Sequence, residues 1–98
     1  MRKYETLYVL RPDLEAEKTQ ALVERFKEVV TSNGGEISEV NEWGKRRLAY
    51  EIDKLREGYY VLMKYDAATD FTKELERLFR ISEDVMRYLT TRVDEAAV

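Results

Sequence analysis

Tyr59-Tyr60-Val61-Leu62-Met63-Lys64-Tyr65-Asp66 is the stretch of sequence that decides the fold. This run of aromatic, β-branched and other apolar residues is typical of a β-strand. Immediately before it, Arg56-Glu57-Gly58 is predicted to be a turn. Residues 36–43 and 46–52 are predicted strand pieces, and Gly44 between them indicates a bulge or bend in one long strand. A β-hairpin is therefore expected in the middle of the chain.

The segment before the hairpin predicts one strand and one helix. Residues 2–10 are rich in tyrosine and aliphatic side chains and are expected to form a strand that stops before Pro12. Apolar residues then recur at helical spacing over residues 13–33. Asp13 is the expected N-cap of this helix, and Asn33-Gly34 is the expected C-terminal stop.

The segment after the hairpin predicts a short helix, capped by Thr69-Asp70, and a last strand from about Val85 to Val93. The order strand–helix–strand–strand–helix–strand indicates an α+β protein of the ferredoxin-like split β-α-β type (βαββαβ). This fold has a four-stranded antiparallel sheet with two helices on one face. Residues 1–93 are expected to form this single domain, and residues 94–98 a short C-terminal tail.

One face of the predicted sheet is expected to be bare, because right-handed crossovers bring both helices to the same side. With the first and third strands central, alternation of side chains assigns one set to the core: Tyr4, Thr6, Tyr8, Leu10, Val61, Met63 and Tyr65. The opposite set gives the bare face an apolar patch rimmed by Lys3, Lys64 and Arg87; its members are Leu7, Val9, Tyr60 and Leu62. A shift of one residue would bury this second set instead, so both assignments stay open at this point.

The composition excludes several classes of function. The net charge is −3, so any contact with RNA or DNA has to come from a local cationic patch. The absence of cysteine and histidine removes thiolate chemistry, the commonest metal ligand and the commonest general base. Because there is also no glycine-rich phosphate loop, we expect a non-catalytic binding protein without a metal or cofactor. No apolar run approaches the about 20 residues of a membrane span, so a cytoplasmic location is expected.

Trp43-Gly44-Lys45-Arg46-Arg47-Leu48-Ala49-Tyr50 is the second informative stretch, because it brings three consecutive cations to the start of an apolar strand. Arg46 and Leu48 are expected on one face of the strand, and Lys45 and Arg47 on the other. Arginine and lysine neutralise phosphates, and arginine also donates hydrogen bonds in a planar fork. The run is therefore a candidate polyanion site; the alternative is a solvated charge run at a bend.

The same block, together with the opening Met1-Arg2-Lys3-Tyr4-Glu5 and residues 10–14 and 32–35, resembles the bacterial family of small-subunit ribosomal protein six. The resemblance extends from Arg2 to about Arg92. It implies that the chain binds small-subunit (16S) ribosomal RNA together with ribosomal protein eighteen, as a heterodimer. Many members of that family carry a long C-terminal extension, whereas only residues 94–98 follow Val93 here. Contacts made through such an extension are not carried over to this chain.

Two sets of residues are the candidate contacts. The expected RNA contacts are the cations of the run and of the sheet rim: Arg2, Lys3, Lys45, Arg46, Arg47, Lys64, Arg87 and Arg92. The expected contacts with the protein partner are large apolar residues of the second and third strands: Trp43, Leu48, Tyr60 and Leu62. The aromatic signature of RNA-recognition motifs is missing, so phosphate and shape contacts are expected rather than base stacking. The alternative function is an RNA-free interaction or regulatory domain that self-associates through its sheet.

Overall fold

The predicted order of elements is confirmed by the computed structural model of the chain, which describes residues 1–52 and 54–93. The elements are β1 (Arg2–Leu10), α1 (Ala16–Ser32), β2 (Glu36–Ile52), β3 (Leu55–Ala67), α2 (Phe71–Ile81) and β4 (Val85–Arg92). The strands form one sheet in the order β2-β3-β1-β4, in which every paired neighbour is antiparallel. The fold is ferredoxin-like, with β2 and β4 at the edges. The predicted tail, residues 94–98, lies outside the described residues.

The side chains that alternation assigned to the core do face the helices. In β1 and β3, Thr6 pairs with Met63 and Tyr8 pairs with Val61, and all four side chains are buried. The apolar stripe of α1 and that of α2 pack on this face through residues that recur at helical spacing: Val23, Phe26, Val30, Phe71, Leu75 and Phe79. The assignment shifted by one residue is therefore excluded. The other face of the sheet, which we call the open face, has no helix over it.

Three aromatic rings form the centre of the core. Tyr8 of β1 lies 5.2 Å from Phe26 of α1 and 5.2 Å from Phe79 of α2, measured between ring centroids. Phe26 and Phe79 are 4.7 Å apart, so each element contacts the other two through a ring. Aromatic pairs at these distances contribute about 0.5–1.5 kcal/mol each beyond the burial of their surface. This contact holds both helices on the same face of the sheet.

The ends of α1 differ in how well the sequence predicted them. The predicted N-cap was wrong: the helix begins at Ala16, Glu15 occupies the N-cap position, and its side chain makes no capping hydrogen bond. Asp13 instead accepts a hydrogen bond from Arg11 Nε at 3.3 Å, which lowers the pKa of its carboxyl group. The predicted stop is confirmed, since Gly34 has a φ of +83°, a left-handed conformation that favours glycine.

The hairpin turn was also predicted at the wrong position. Ile52 pairs with Leu55, so the chain reverses between these two residues rather than at Arg56-Glu57-Gly58. Gly58 lies inside β3, where it is buried, and a Cβ atom there would overlap Val9 Cγ1 on the neighbouring strand β1. The glycine is needed for this close approach and not for a turn. As a result, β3 begins earlier than the sequence indicated, at Leu55, whereas β2 ends at Ile52 as predicted.

The predicted bulge in β2 is confirmed. The register of β2 on β3 shifts between Glu42 and Gly44, and Gly44 has a φ of +79°. A bulge adds a residue to one strand and bends it. Trp43 is the residue at this bulge, so the outer part of the hairpin leaves the plane of the sheet immediately after the only tryptophan.

The hydroxyl groups of two buried tyrosines differ in their hydrogen bonding. The Tyr65 hydroxyl shares a hydrogen bond of 2.8 Å with Thr6 Oγ1, which in turn lies 3.0 Å from Thr90 Oγ1. The Tyr8 hydroxyl has no hydrogen-bond partner among the described residues. Burial, and then the nearby Glu42 carboxylate, raises the pKa of Tyr8. A buried polar group without a partner costs about 1–3 kcal/mol.

We therefore expect Tyr8→Phe to leave the free energy of unfolding unchanged or to raise it by up to about 1 kcal/mol, because it removes an unpaired hydroxyl. Tyr65→Phe is the matched variant and should lower the free energy of unfolding by about 1–2 kcal/mol, because it leaves Thr6 without this partner. Urea denaturation of both variants measures the difference. Equal destabilisation by the two substitutions would show that the Tyr8 hydroxyl is bonded in solution.

Candidate nucleic-acid and protein interface

The open face has a charged region at the end where β1 begins. Lys64 of β3 lies between two carboxylates, with its Nζ 3.7 Å from Glu5 Oε1 and 3.6 Å from Glu39 Oε2. The next cross-strand row contains Glu36, Asp66 and Lys3, which pair through the backbone in register. Lys64 was expected to contact RNA, but in the free protein its ammonium group already faces two acidic side chains. This end of the open face is the acidic one.

An apolar row crosses the middle of the open face. Leu62 of β3 pairs with Leu7 of β1, which pairs with Leu89 of β4. Leu7 and Leu62 are half-buried, whereas the Leu89 side chain is 64% exposed. Such exposed apolar surface on a small protein is typical of a site that another molecule covers. Leu89 was missed at the level of sequence, although its alternation with Arg87 in the last strand places both on this face.

An aromatic pair lies beside the apolar row, at the bulge of β2. The rings of Trp43 and Tyr60 stack with an interplanar angle of 10° and a centroid distance of 6.2 Å, and Trp43 is 43% exposed. Arg46 and Arg47 complete the lining of a shallow depression of about 480 Å³ around this pair. The structure thus brings two residues expected to contact a protein together with two expected to contact RNA. The depression can bind a planar or apolar group beside an anion.

The outer part of the hairpin, residues 45–52 and 54–58, covers the other end of the open face; we call it the arm. Leu48 of the arm is only 7% exposed, and an added Cβ on Gly58 would lie 3.5 Å from Leu48 Cδ2. Val9, which also lies against Gly58, is buried as well. The expectation that Val9 belongs to an exposed patch was therefore wrong. Leu48 stays a candidate partner contact, but little of its surface is accessible.

The arm also contacts the far edge of the sheet. The guanidinium carbon of Arg87, in β4, lies 5.2 Å from the centroid of the Tyr50 ring, in β2. These two strands are the opposite edges of the sheet. The end of the arm therefore crosses over the open face, and sequence reasoning gave no signal for this contact. A groove of about 250 Å³ lies at this place, lined by Leu7, Val9, Tyr60, Arg87, Tyr88 and Leu89.

The remaining candidate cations are dispersed. Lys45 lines a cleft of about 260 Å³ together with Arg11 and Gln20, on the helix side of the sheet. Arg2 and Arg92 are exposed at the end of the sheet opposite the arm, where β1 begins and β4 ends, and Lys3 is exposed beside them. The eight predicted RNA contacts therefore do not form one patch. Arg46 and Arg47 lie together beside the Trp43–Tyr60 pair, whereas Arg87 contacts the Tyr50 ring elsewhere on the open face.

A polar contact ties the inner part of β2 to α1. The Tyr59 hydroxyl donates to Glu42 Oε1 at 2.7 Å, and Gln20 Nε2 of α1 donates to the same oxygen at 2.6 Å. The hydrogen bond to Glu42 is the main reason why the pKa of Tyr59 is raised to about 12. Tyr59 therefore stays a neutral donor at physiological pH. This contact fixes β2 up to the bulge, beyond which the arm begins.

The part of the chain that the structure describes contains no group of side chains arranged to hold a metal ion. Among the same residues, no helix is long and apolar enough to cross a membrane.

Comparison with known proteins identifies the family. The sequence model of ribosomal protein S6 matches residues 3–92. The chain belongs to the ribosomal protein S6 family. It is 53% identical over 97 residues to the small ribosomal subunit protein bS6 of Moorella thermoacetica, and the match covers 99% of each chain. The bS6 protein of Caldanaerobacter subterraneus subsp. tengcongensis is 54% identical over 95 residues, which are 97% of this chain and 100% of that one.

A solved structure of the S6 family has the same fold. The crystal structure of 30S ribosomal protein S6 from Thermotoga maritima superposes with a TM-score of 0.89 at 32% sequence identity, covering 94% of this chain and 87% of that one. The resemblance noted from the sequence is thereby confirmed. So are the non-catalytic class and the cytoplasmic, ribosomal location, because the relatives are small-subunit ribosomal proteins.

The packing of the arm gives a stability prediction. Leu48→Ala should lower the free energy of unfolding by about 2 kcal/mol, because it removes a buried side chain from between the arm and β3. Leu89→Ala is the matched control on the same face and should change it by less than about 0.5 kcal/mol, since Leu89 is exposed. Thermal and urea denaturation measure both. Equal effects would mean that the arm does not pack on the open face in solution.

Proposed function

We propose that this chain binds small-subunit ribosomal RNA as a heterodimer with ribosomal protein eighteen. The observation that supports this most is the depression in which Arg46 and Arg47 lie beside the Trp43–Tyr60 pair. It joins a cationic arm to an apolar, helix-free sheet face, in a chain of the ribosomal protein S6 family. Phosphates of the RNA would contact the arm, and the partner protein would cover the open face next to it.

The net charge of the chain limits how it can bind RNA. At −3, the long-range field of the isolated protein repels a polyanion, so the attraction has to come from the local cations of the arm and from a basic partner. Lys45, Arg46 and Arg47 are exposed and adjacent, and they are the contacts that we propose as the main ones. Arg2, Lys3, Lys64 and Arg92 stay predicted contacts at the other end of the sheet.

The partner surface that we propose includes β2 and the adjoining part of the open face. An edge strand has unpaired backbone groups, and β2 is an edge with apolar side chains beside it. Trp43 and Tyr60 are partly accessible aromatic residues, which often dominate the affinity of protein interfaces. Leu62 extends this surface into the apolar row. The Leu48 side chain is mostly buried beneath the arm, so it contributes little accessible surface to the interface.

Replacing both arginines of the depression should separate RNA binding from folding. We expect Arg46→Ala plus Arg47→Ala to weaken binding of the heterodimer to a small-subunit ribosomal RNA fragment about ten-fold or more, with a reduced salt dependence, because two phosphate-neutralising charges are lost. The melting temperature should stay within about 2 °C, since both side chains are exposed. Filter binding at several salt concentrations and thermal denaturation measure the two effects.

A double variant of exposed cations on the helices is the matched control. Arg25→Ala plus Lys73→Ala removes the same charge from α1 and α2, on the side of the sheet opposite the open face. It should leave RNA affinity within about two-fold of the unmodified pair. If both double variants weaken binding equally, only net charge matters and the arm is not the contact. If neither does, the cationic run is a solvated surface feature.

The only tryptophan reports on the partner surface. Because Trp43 is partly exposed and stacked on Tyr60, adding ribosomal protein eighteen should shift or quench its fluorescence. Tyr60→Ala should weaken the heterodimer by about 1–3 kcal/mol, the range of interface anchors. Fluorescence titration and calorimetry give the two results. An unchanged spectrum together with full affinity of the Tyr60 variant would put the interface elsewhere.

A further inference from the structure

The contact between Tyr50 and Arg87 joins two residues that the sheet itself keeps apart. Tyr50 is in β2 and Arg87 in β4, and β3 and β1 lie between these edge strands. The contact nevertheless brings the Arg87 guanidinium carbon to 5.2 Å from the Tyr50 ring centroid. Both side chains are exposed, and the exposed fraction of Tyr50 is 60%. Neither residue contributes to the buried core.

Among the described residues, this part of the arm is otherwise held by the buried Leu48 and by an exposed ion pair of Arg56 Nε with Glu51 Oε2 at 3.9 Å. The regular pairing of β2 with β3 is interrupted between Arg47 and Ile52, immediately beyond the cationic run. Within that interval Leu48 is the buried side chain, while Ala49, Tyr50 and Glu51 are exposed. The bulge at Gly44 precedes the run. Lys45, Arg46 and Arg47 are thus between a bend and an unpaired segment, so their direction depends on what holds the arm beyond them.

We infer that Arg87 and Tyr50 are positioning residues, which fix the arm across the open face so that Arg46 and Arg47 are oriented for RNA before it binds. The inference rests on the proposed function. It assigns to Arg87 a role through Tyr50, in place of the direct phosphate contact that its charge alone indicates. Orienting a binding segment in advance raises affinity, because less conformational entropy is lost on binding. The attraction between a guanidinium group and an aromatic face is strong enough to favour one position of a segment that is otherwise weakly held.

A double-mutant cycle on the heterodimer tests the inference. Arg87→Leu and Tyr50→Leu should each weaken binding to the ribosomal RNA fragment about two- to five-fold, the range that an exposed cation–π contact supplies. The double variant should be no weaker than either single one, because the two changes remove the same contact. Tyr50→Phe and Arg87→Lys, which keep a ring and a cation, should bind within about two-fold of the unmodified pair. Arg25→Leu is the control for loss of a cation elsewhere.

The salt dependence separates positioning from direct contact. If Arg87 touched a phosphate, Arg87→Leu would reduce the slope of log affinity against log salt by about one, Tyr50→Leu would not, and the two effects would add. That result would overturn the inference and leave the proposed function standing. Under the inference the slopes of both single variants equal that of the unmodified pair.

A second measurement does not depend on RNA. Amide hydrogen exchange in the free chain should become faster at residues 45–47 and at the residues they pair with, 57–59, in both Arg87→Leu and Tyr50→Leu, and should stay unchanged in α1. Unchanged exchange in the arm would overturn the inference even if RNA affinity fell. If the unmodified heterodimer failed to bind RNA while the arm responded in this way, the proposed function would fail and the positioning contact would remain.

Discussion

Two helices cover one face of a four-stranded sheet, and the packing of Tyr8 against Phe26 and Phe79 determines which face that is. Tyr8 is in a central strand, while the two phenylalanines come from different helices, so one cluster anchors both layers of the domain. Everything on the opposite face of the same strands is consequently free of helices. The acidic end, the apolar row and the aromatic pair are exposed because this contact leaves them uncovered.

The bulge at Gly44 determines where the arm lies relative to the open face. It lets β2 run past the helices as one strand and then bend, so that the arm covers the end of the open face where Val9 lies. Arg46 and Arg47 are therefore carried on a segment outside the plane of the sheet, next to Trp43 and Tyr60. A protein with a net charge of −3 can in this way present a local cationic surface beside an apolar one.

The periodicity of apolar residues was sufficient to predict the two layers of the fold. Alternation in β1 and β3 and helical spacing in α1 and α2 both arise because these side chains are buried in one shared core. The sequence pattern gave a wrong prediction where a residue is required by a contact with a residue far away in the chain or by a different local contact. Gly58 resembles a turn residue, but the close approach of Val9 leaves no room for a larger side chain there, which no local pattern reveals. Asp13 resembles an N-cap, but it binds Arg11 instead. The candidate site followed the same rule: Trp43, Tyr60, Arg46 and Arg47 were predicted singly, whereas the contact of Tyr50 with Arg87 depends on how the arm bends.

We propose that the arm and the open face, rather than the helices, are the surfaces that bind RNA and protein. Photo-cross-linking within assembled small ribosomal subunits tests it most directly. We expect cross-links to RNA from positions 45–47 and cross-links to a protein from positions 43 and 60. Positions 25 and 73, on the exposed sides of the helices, should give none to either. Cross-links from the helix positions, with none from the arm, would contradict the account.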